Sequence, residues 1–222
     1  MELILDTGNI EEIKEYDQFL NVSGVTTNPT IITKSGKSPE AVISDLVDYL
    51  RTDQKIFIQV VATDFEGIME EARYIASLRP ENMYVKIPVH RAGLQAVKAC
   101  HEEGIHTLAT AIYSADSGFM AAVNGADYLA PYVNRMSNYG DGVAETIDLI
   151  EMLRVQNSST KVVAASFHSV NQVHQLIRAG IQAITVPPSV LKNIVDNPHT
   201  TIAVDEFTAN WKAAYGRTTL TA

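Results

Sequence analysis

Asn82-Met83-Tyr84-Val85-Lys86-Ile87-Pro88-Val89 is an apolar run with a single charge set in its middle. It reads as a short buried strand. Side chains on a strand alternate faces, so Tyr84, Lys86 and Pro88 share one face and Met83, Val85 and Ile87 the other. Lysine is rarely fully buried unless something pairs with it or uses it. In a barrel, Lys86 falls on the inner face near the strand's C-terminal end. Burial disfavours a charged ammonium, and a neutral amine is the nucleophile that forms Schiff bases with carbonyls. On this strand alone the other reading stays open, a lysine that snorkels to solvent at a strand end.

Outward from this strand, one rhythm fills the chain. Strand patterns fall at 3–7, 22–28, 55–62, the Lys86 segment, 107–113, 128–133, 161–167 and 183–186. Helical patterns fall at 9–20, 39–51, 64–78, 91–103, 115–123, 143–155, 170–179, 188–195 and 202–215. Val42, Ile43, Leu46, Val47 and Leu50 form one face of the second helix, and Asn9 with Glu12 predicts a capping box opening the first. The strands are apolar runs rather than clean alternations, as expected of strands buried on both faces in a parallel sheet. Eight such units predict an α/β protein, a (β/α)8 TIM barrel. An open doubly wound sheet would want a Gly-rich turn after its first strand, and none is present.

With 222 residues, 46% of them hydrophobic, the chain fits one barrel domain at the short end of the size range. The last helix lies beyond the eighth unit and carries Phe207, Trp211 and Tyr215. It packs either on its own barrel or on a neighbouring subunit, so about 199–222 is read as a C-terminal arm of a single domain 1–222.

A net charge of −9 argues against nucleic acid or an anionic membrane as partner. The one cysteine, Cys100, cannot form an internal disulfide and sits in a helical pattern as an inert core residue. There is no basic leader pattern and no apolar run of membrane-spanning length, which predicts a cytoplasmic protein. Histidines such as His101 and His106 flank turns without metal-ligand spacing, and no Walker loop, zinc pattern or GxSxG elbow occurs. Gly140-Asp141-Gly142 reads as a flexible connection. Glu70, Glu71, Glu102 and Glu103 read as solvated surface.

Barrel enzymes place their chemistry at the C-terminal ends of the strands. Here those ends carry Asp6, Asn28, Gln59, Lys86, Thr110, Tyr132 and Ser166. Each one alone has a structural reading: Asp6 or Ser166 as a helix cap, Asn28 as the turn before Pro29, Tyr132 as core. Seven polar groups at equivalent positions around a buried lysine argue for a site. Arg135 adds a fixed positive charge able to hold an anion, and Ser166-Phe167-His168-Ser169 forms a loop where barrels often bind phosphate.

Gly24-Val25-Thr26-Thr27-Asn28-Pro29-Thr30-Ile31-Ile32 and Val85-Lys86-Ile87-Pro88-Val89 resemble the two signatures of the transaldolase family. The resemblance extends through Leu5-Asp6-Thr7, Ala130-Pro131-Tyr132-Val133-Asn134-Arg135, Ala164-Ala165-Ser166-Phe167 and Gly216-Arg217-Thr218. Length and order are similar to the small bacterial branch of fructose-6-phosphate aldolases and short transaldolases. The resemblance implies a class I aldolase mechanism without cofactor or metal, acting on sugar phosphates and dihydroxyacetone. It implies Lys86 as the Schiff-base lysine, and Tyr132, Gln59 and Thr110 around a water as proton carriers. Asp6 and Asn28 would hold substrate hydroxyls, with Thr27 also in contact with substrate, and Arg135 and Ser166 would bind the phosphate, with His168 in the same loop. It further implies a homo-oligomer, pentamer or decamer, with the last helix reaching across subunits.

Two positions depart from that family's pattern. His90 stands where Ser or Thr is usual and marks a helix cap. His168 stands where Arg or Lys is usual, and a neutral histidine is a weaker anion ligand. That departure leaves room for another tail, such as a sulfonate. Gln59 and Tyr132 resemble the aldolase branch, whereas the transaldolase branch carries Glu and Phe. Three functions follow for testing: a lyase cleaving fructose 6-phosphate, a transaldolase passing a dihydroxyacetone unit between sugar phosphates, and a non-catalytic sugar-phosphate binder.

Overall fold

Strand and helix alternate along the computed structural model, which describes residues 1–221. The first half runs β1 (Glu2–Asp6), α1 (Ile10–Asp17), β2 (Gly24–Thr26), α2 (Pro29–Lys34), α3 (Pro39–Tyr49), β3 (Lys55–Gln59), α4 (Phe65–Ser77), β4 (Met83–Pro88) and α5 (Arg91–Glu102). The second half runs β5 (Thr107–Ile112), α6 (Ala115–Val123), β6 (Tyr128–Pro131), α7 (Val133–Met136), α8 (Gly142–Val155), β7 (Lys161–Ala164), α9 (Val170–Arg178), β8 (Ala183–Val186), α10 (Pro188–Val195) and α11 (Pro198–Tyr215). The strands pair in sequence order, all parallel, and β8 closes on β1 through Leu5 and Val186. This is the expected (β/α)8 barrel with an extra C-terminal helix.

Closure explains the near-continuous apolar strands. Val25, Ile56, Ile58, Val85, Ile87 and Val162 point outward into the core shared with the helices. Ile4, Phe57, Tyr84, Leu108, Tyr128 and Val163 point inward and fill the barrel. Both faces are dry, so both sets are apolar.

Polar caps end the strands and start the helices. Asn9, Asn28, Ser38, Asp64, Ser114, Asp141 and Ser169 each accept a backbone N–H of the following helix. Pro stands in the first turn of α2, α3, α10 and α11, where its missing N–H costs nothing. His90 occupies the cap position of α5 without a side-chain hydrogen bond. At Gly93 a Cβ would lie 1.9 Å from the Pro88 carbonyl, so only glycine lets α5 press against the end of the Lys86 strand.

Several expectations need correction. The short helices α2 and α7 were not expected, and seven strands end earlier than read, β2 at Thr26 and β6 at Pro131 among them. The capping box is not formed: Asn9 caps α1, but Glu12 turns to the Thr7 hydroxyl, 2.7 Å away. Residues 140–142 lead from α7 into α8, where Asp141 accepts from the N–H groups of Val143 and Ala144 and Gly142 is pressed on the Val133 carbonyl. Glu71 is not idle surface. Its carboxylate takes the N–H groups of Val61 and Ala62 and clamps the loop after β3. Glu145 does the same for Ala115 after β5.

Cys100 is fully buried, its Sγ 3.8 Å from the Met69 Sδ, and burial followed by the Glu103 charge pushes its thiol up to about 11. A thiol so protonated is a poor nucleophile. Helix α11 has no buried residue among those described, and Ile202, Phe207 and Tyr215 lie exposed.

Candidate active site

Lys86 is 2% exposed, although it carries the only charge on β4. Its Nζ donates to the Thr27 carbonyl at 3.0 Å, just past the end of β2. Thr27 is held in turn by its own N–H and hydroxyl on the Phe57 carbonyl. Among the described residues Lys86 makes no ion pair; a buried lysine normally has a carboxylate beside it. In register, Gln59 of β3 and Leu108 of β5 flank it. The Gln59 Oε1 is buried and has no partner. A buried amide oxygen without a donor is costly.

Beneath the lysine the barrel is plugged. Phe57 stacks on Tyr84 at 4.8 Å, and both meet Tyr128 edge-on at 5.5 and 5.3 Å. Such aromatic clusters fill volume at low entropy cost and favour offset and T-shaped contacts. The Tyr128 hydroxyl donates to Glu2, which also receives Lys161 at 2.8 Å and Lys55 at 3.4 Å. Burial alone would raise the Glu2 carboxyl, but the Lys161 and Tyr128 hydrogen bonds outweigh it and hold it below its ordinary value. Burial, then the Asp127 and Glu2 charges, push Tyr84 up to about 12, so it stays a neutral wedge. A cavity of 540 Å³ opens at this N-terminal pole beside Tyr84, Asp127, Tyr128 and Lys161. It lies at the opposite end of the barrel from the mouth onto which Lys86 faces.

At the mouth, Asp6 ends β1. Its Oδ1 accepts from the Thr26 hydroxyl at 2.8 Å, and Thr26 and Thr185 hydroxyls lie 2.6 Å apart. With Thr26 donating to Asp6, Thr185 donates to Thr26, a relay that fixes the carboxylate from two neighbouring strands. Thr26 and Thr185 were not singled out from the sequence; the signal was a hydroxyl inside each of two apolar runs, Val25-Thr26 and Ile184-Thr185-Val186. Neither Asp6 nor Ser166 caps a helix. Asn28 does: its Oδ1 accepts from the Ile31 N–H at 3.0 Å, which leaves its NH2 donors uncommitted. A 400 Å³ cavity opens beside Asp6, between Thr7, Asn9 and Lys34.

On the far side the site depends on a β-bulge. Strand β5 gains one residue on β6 between Ala109 and Ile112, with Ala111 in the left-handed region at φ 54°. Thr110 then donates to the Tyr132 hydroxyl at 3.2 Å. The Arg135 guanidinium stacks over the Tyr132 ring, 5.0 Å from its centroid, and reaches the Tyr113 hydroxyl at 3.4 Å. Tyr113 also meets Tyr132 edge-on at 5.9 Å. Tyr113 was missed because plain alternation places it with Ala109 on the outer face.

The loop after β7 runs beside this group. Asn134 N–H is bound by the Ser166 carbonyl at 3.1 Å, and Gln172 ties the Asn134 side chain to the His168 N–H. Ser166 sits at φ 61°, a strained conformation for serine of the kind that clusters at functional sites. The His168 side chain is exposed. Among the described residues, no group of three or more His, Cys, Asp or Glu is placed to hold a metal, and no helix is long and apolar enough to cross a membrane.

A closed parallel barrel with a buried lysine ringed by polar strand ends has the layout of a barrel enzyme. The particular family follows from comparison: residues 3–220 match the model of the Transaldolase/Fructose-6-phosphate aldolase family, and the chain belongs to it. A probable fructose-6-phosphate aldolase of Streptococcus pneumoniae is 40% identical over 213 residues, 95% of this chain and 96% of that protein. Two solved structures share the fold at low identity. The Amycolatopsis orientalis BexX/CysO complex matches with TM-score 0.60 at 16% identity, over 86% of this chain and 82% of that one. A double mutant of flavocytochrome b2 with pyruvate bound matches with TM-score 0.59 at 8% identity, over 84% of this chain and 56% of that one.

Proposed function

We propose that the protein is a class I aldolase that reversibly cleaves fructose 6-phosphate to dihydroxyacetone and glyceraldehyde 3-phosphate. The observation that carries this reading is Lys86, 2% exposed at the mouth of the barrel, bound only to a carbonyl. The Lys86 amine attacks the substrate ketone, and loss of water leaves an iminium. The bond between the third and fourth carbons breaks with its electron pair drawn into the iminium, giving an enamine. The proton of the fourth carbon's hydroxyl leaves through a water held by Gln59, Thr110 and Tyr132, and glyceraldehyde 3-phosphate departs. Tyr132, accepting from Thr110, keeps its own proton to deliver to the enamine carbon, and hydrolysis frees dihydroxyacetone. Asp6, Thr27 and Asn28 hold the dihydroxyacetone hydroxyls. Arg135, Ser166 and His168 hold the anionic tail, a phosphate or, with histidine at 168, a sulfonate.

Borohydride with substrate tests the intermediate: it adds mass at Lys86 alone, and labelling at another lysine refutes the assignment. Free dihydroxyacetone measured with and without erythrose 4-phosphate separates aldolase from transaldolase. Gln59 and Tyr132 favour the aldolase, because a phenol can protonate the waiting enamine and a phenylalanine cannot.

The assembly is proposed to be a homo-oligomer, pentamer or decamer, in the cytoplasm. Its support is α11, which has no buried residue among those described and exposes Ile202, Phe207 and Tyr215. An apolar groove of 370 Å³ between α2, α3 and α4, lined by Pro29, Ile43, Tyr74 and Ile75, offers a surface of matching character. Deleting residues 198–222 and measuring mass in solution decides it; an unchanged assembly refutes the arm.

A further inference from the structure

We propose that Tyr113 is a positioning residue that holds the Arg135 guanidinium over the Tyr132 ring and so sets selectivity for anionic substrates. The proposal rests on the reading of Arg135 as the tail's ligand and goes one residue beyond it.

Ala111 at φ 54° lies in the left-handed region, which is unfavourable for a residue with a Cβ. Such strain persists only where the surroundings over-determine it. Its local effect is visible in the two residues that follow. Ile112 takes the outer face and is fully buried in the core shared with the helices. Tyr113 is thereby turned to the mouth, edge-on to Tyr132 at 5.9 Å. Without the extra residue, Tyr113 would share the outer face of Ala109, away from the site.

Arg135 lies in the short helix α7 and is exposed. A long exposed side chain has many rotamers, and an anion that binds it must order them. Two contacts order this one beforehand: the Tyr132 ring face, 5.0 Å away, and the Tyr113 hydroxyl, 3.4 Å away. A guanidinium held in this way loses less freedom when it takes a phosphate. The hydroxyl of Tyr113 therefore acts on tail affinity through Arg135, and its ring acts on the placement of Tyr132.

The test is aldol synthesis from dihydroxyacetone with glyceraldehyde 3-phosphate or unphosphorylated glyceraldehyde as acceptor. Wild type, Tyr113→Phe, Tyr113→Leu, Arg135→Ala and the double variant Tyr113→Phe/Arg135→Ala are compared. Tyr113→Phe raises KM for the phosphorylated aldehyde about three- to tenfold, the worth of one hydrogen bond, and raises KM for glyceraldehyde far less. On the Arg135→Ala background the same change adds nothing. Tyr113→Leu, which also loses the ring, lowers kcat with both aldehydes, and phenylalanine restores it. Equal KM changes for both aldehydes, or an additive effect in the double variant, overturn the proposal and leave Tyr113 a packing residue. If Arg135→Ala shifts the two KM values alike, the anion assignment falls and Tyr113 falls with it. If Arg135→Ala is selective and Tyr113→Phe is not, the positioning role alone is refuted.

Discussion

Tyr132→Phe removes one oxygen from the proposed proton path and leaves the ring. The ring is held by the Tyr113 edge and the Arg135 stack, contacts that phenylalanine keeps. What is lost is the acceptor of the Thr110 hydroxyl, 3.2 Å away on a residue that is fully buried. Leaving a buried hydroxyl unsatisfied costs about 1–3 kcal/mol. For a protein of this length that lowers Tm by roughly 2–4 °C per kcal/mol, so the variant melts earlier but stays folded. The chemical loss is larger. One acid–base group is worth ~10²–10⁴-fold in rate, or roughly 3–5 kcal/mol of barrier. Release of free dihydroxyacetone from fructose 6-phosphate should fall by that factor. Transfer of the three-carbon unit to an added aldose phosphate should fall much less, because Lys86 is untouched and the enamine needs an acceptor rather than a proton. Two progress curves on each protein, one for dihydroxyacetone and one for transfer product, suffice. Release within about threefold of wild type would show that the proton path runs elsewhere. Wild type that transfers well yet releases nothing would reassign the protein as a transaldolase.

Lys86→Met should abolish turnover while folding survives, since methionine fits an apolar site of that length; appreciable activity in the variant would defeat the Schiff-base mechanism. His168→Arg should lower KM for phosphorylated aldehydes if the loop after β7 holds phosphate, and a raised KM would point to a different tail. Acid sensitivity should centre on Glu2. Its carboxyl is depressed in the folded state, so the stability it adds is complete above its unfolded value of 4.5 and is lost as pH falls through the folded value. Glu2→Gln should therefore flatten the decline of Tm with acidification below about pH 4.5; an unchanged slope would place acid sensitivity at other carboxylates.

Much of the molecule was already readable in the linear chain. Eight apolar runs alternating with amphipathic segments imply strands dry on both faces, and a closed parallel barrel is the structure that satisfies them. Alternation around Lys86 placed it inside, above Tyr84, because a two-residue period depends only on neighbouring residues. The polar strand ends at Asp6, Gln59, Thr110 and Tyr132 were legible for the same reason. What escaped depends on distances across the sheet. The Thr26–Thr185 relay joins strands 159 residues apart, and Glu71 and Glu145 clamp loops belonging to other elements. The bulge at Ala111 exists only as a mismatch between β5 and β6, so nothing within β5 announces that Tyr113 turns inward. Trp211 marked the last helix as aromatic, but only the tertiary structure shows that none of its described residues is buried. Local period is set by the backbone of each element. Register, closure and the pairing of distant hydroxyls and carboxylates are set when the elements meet.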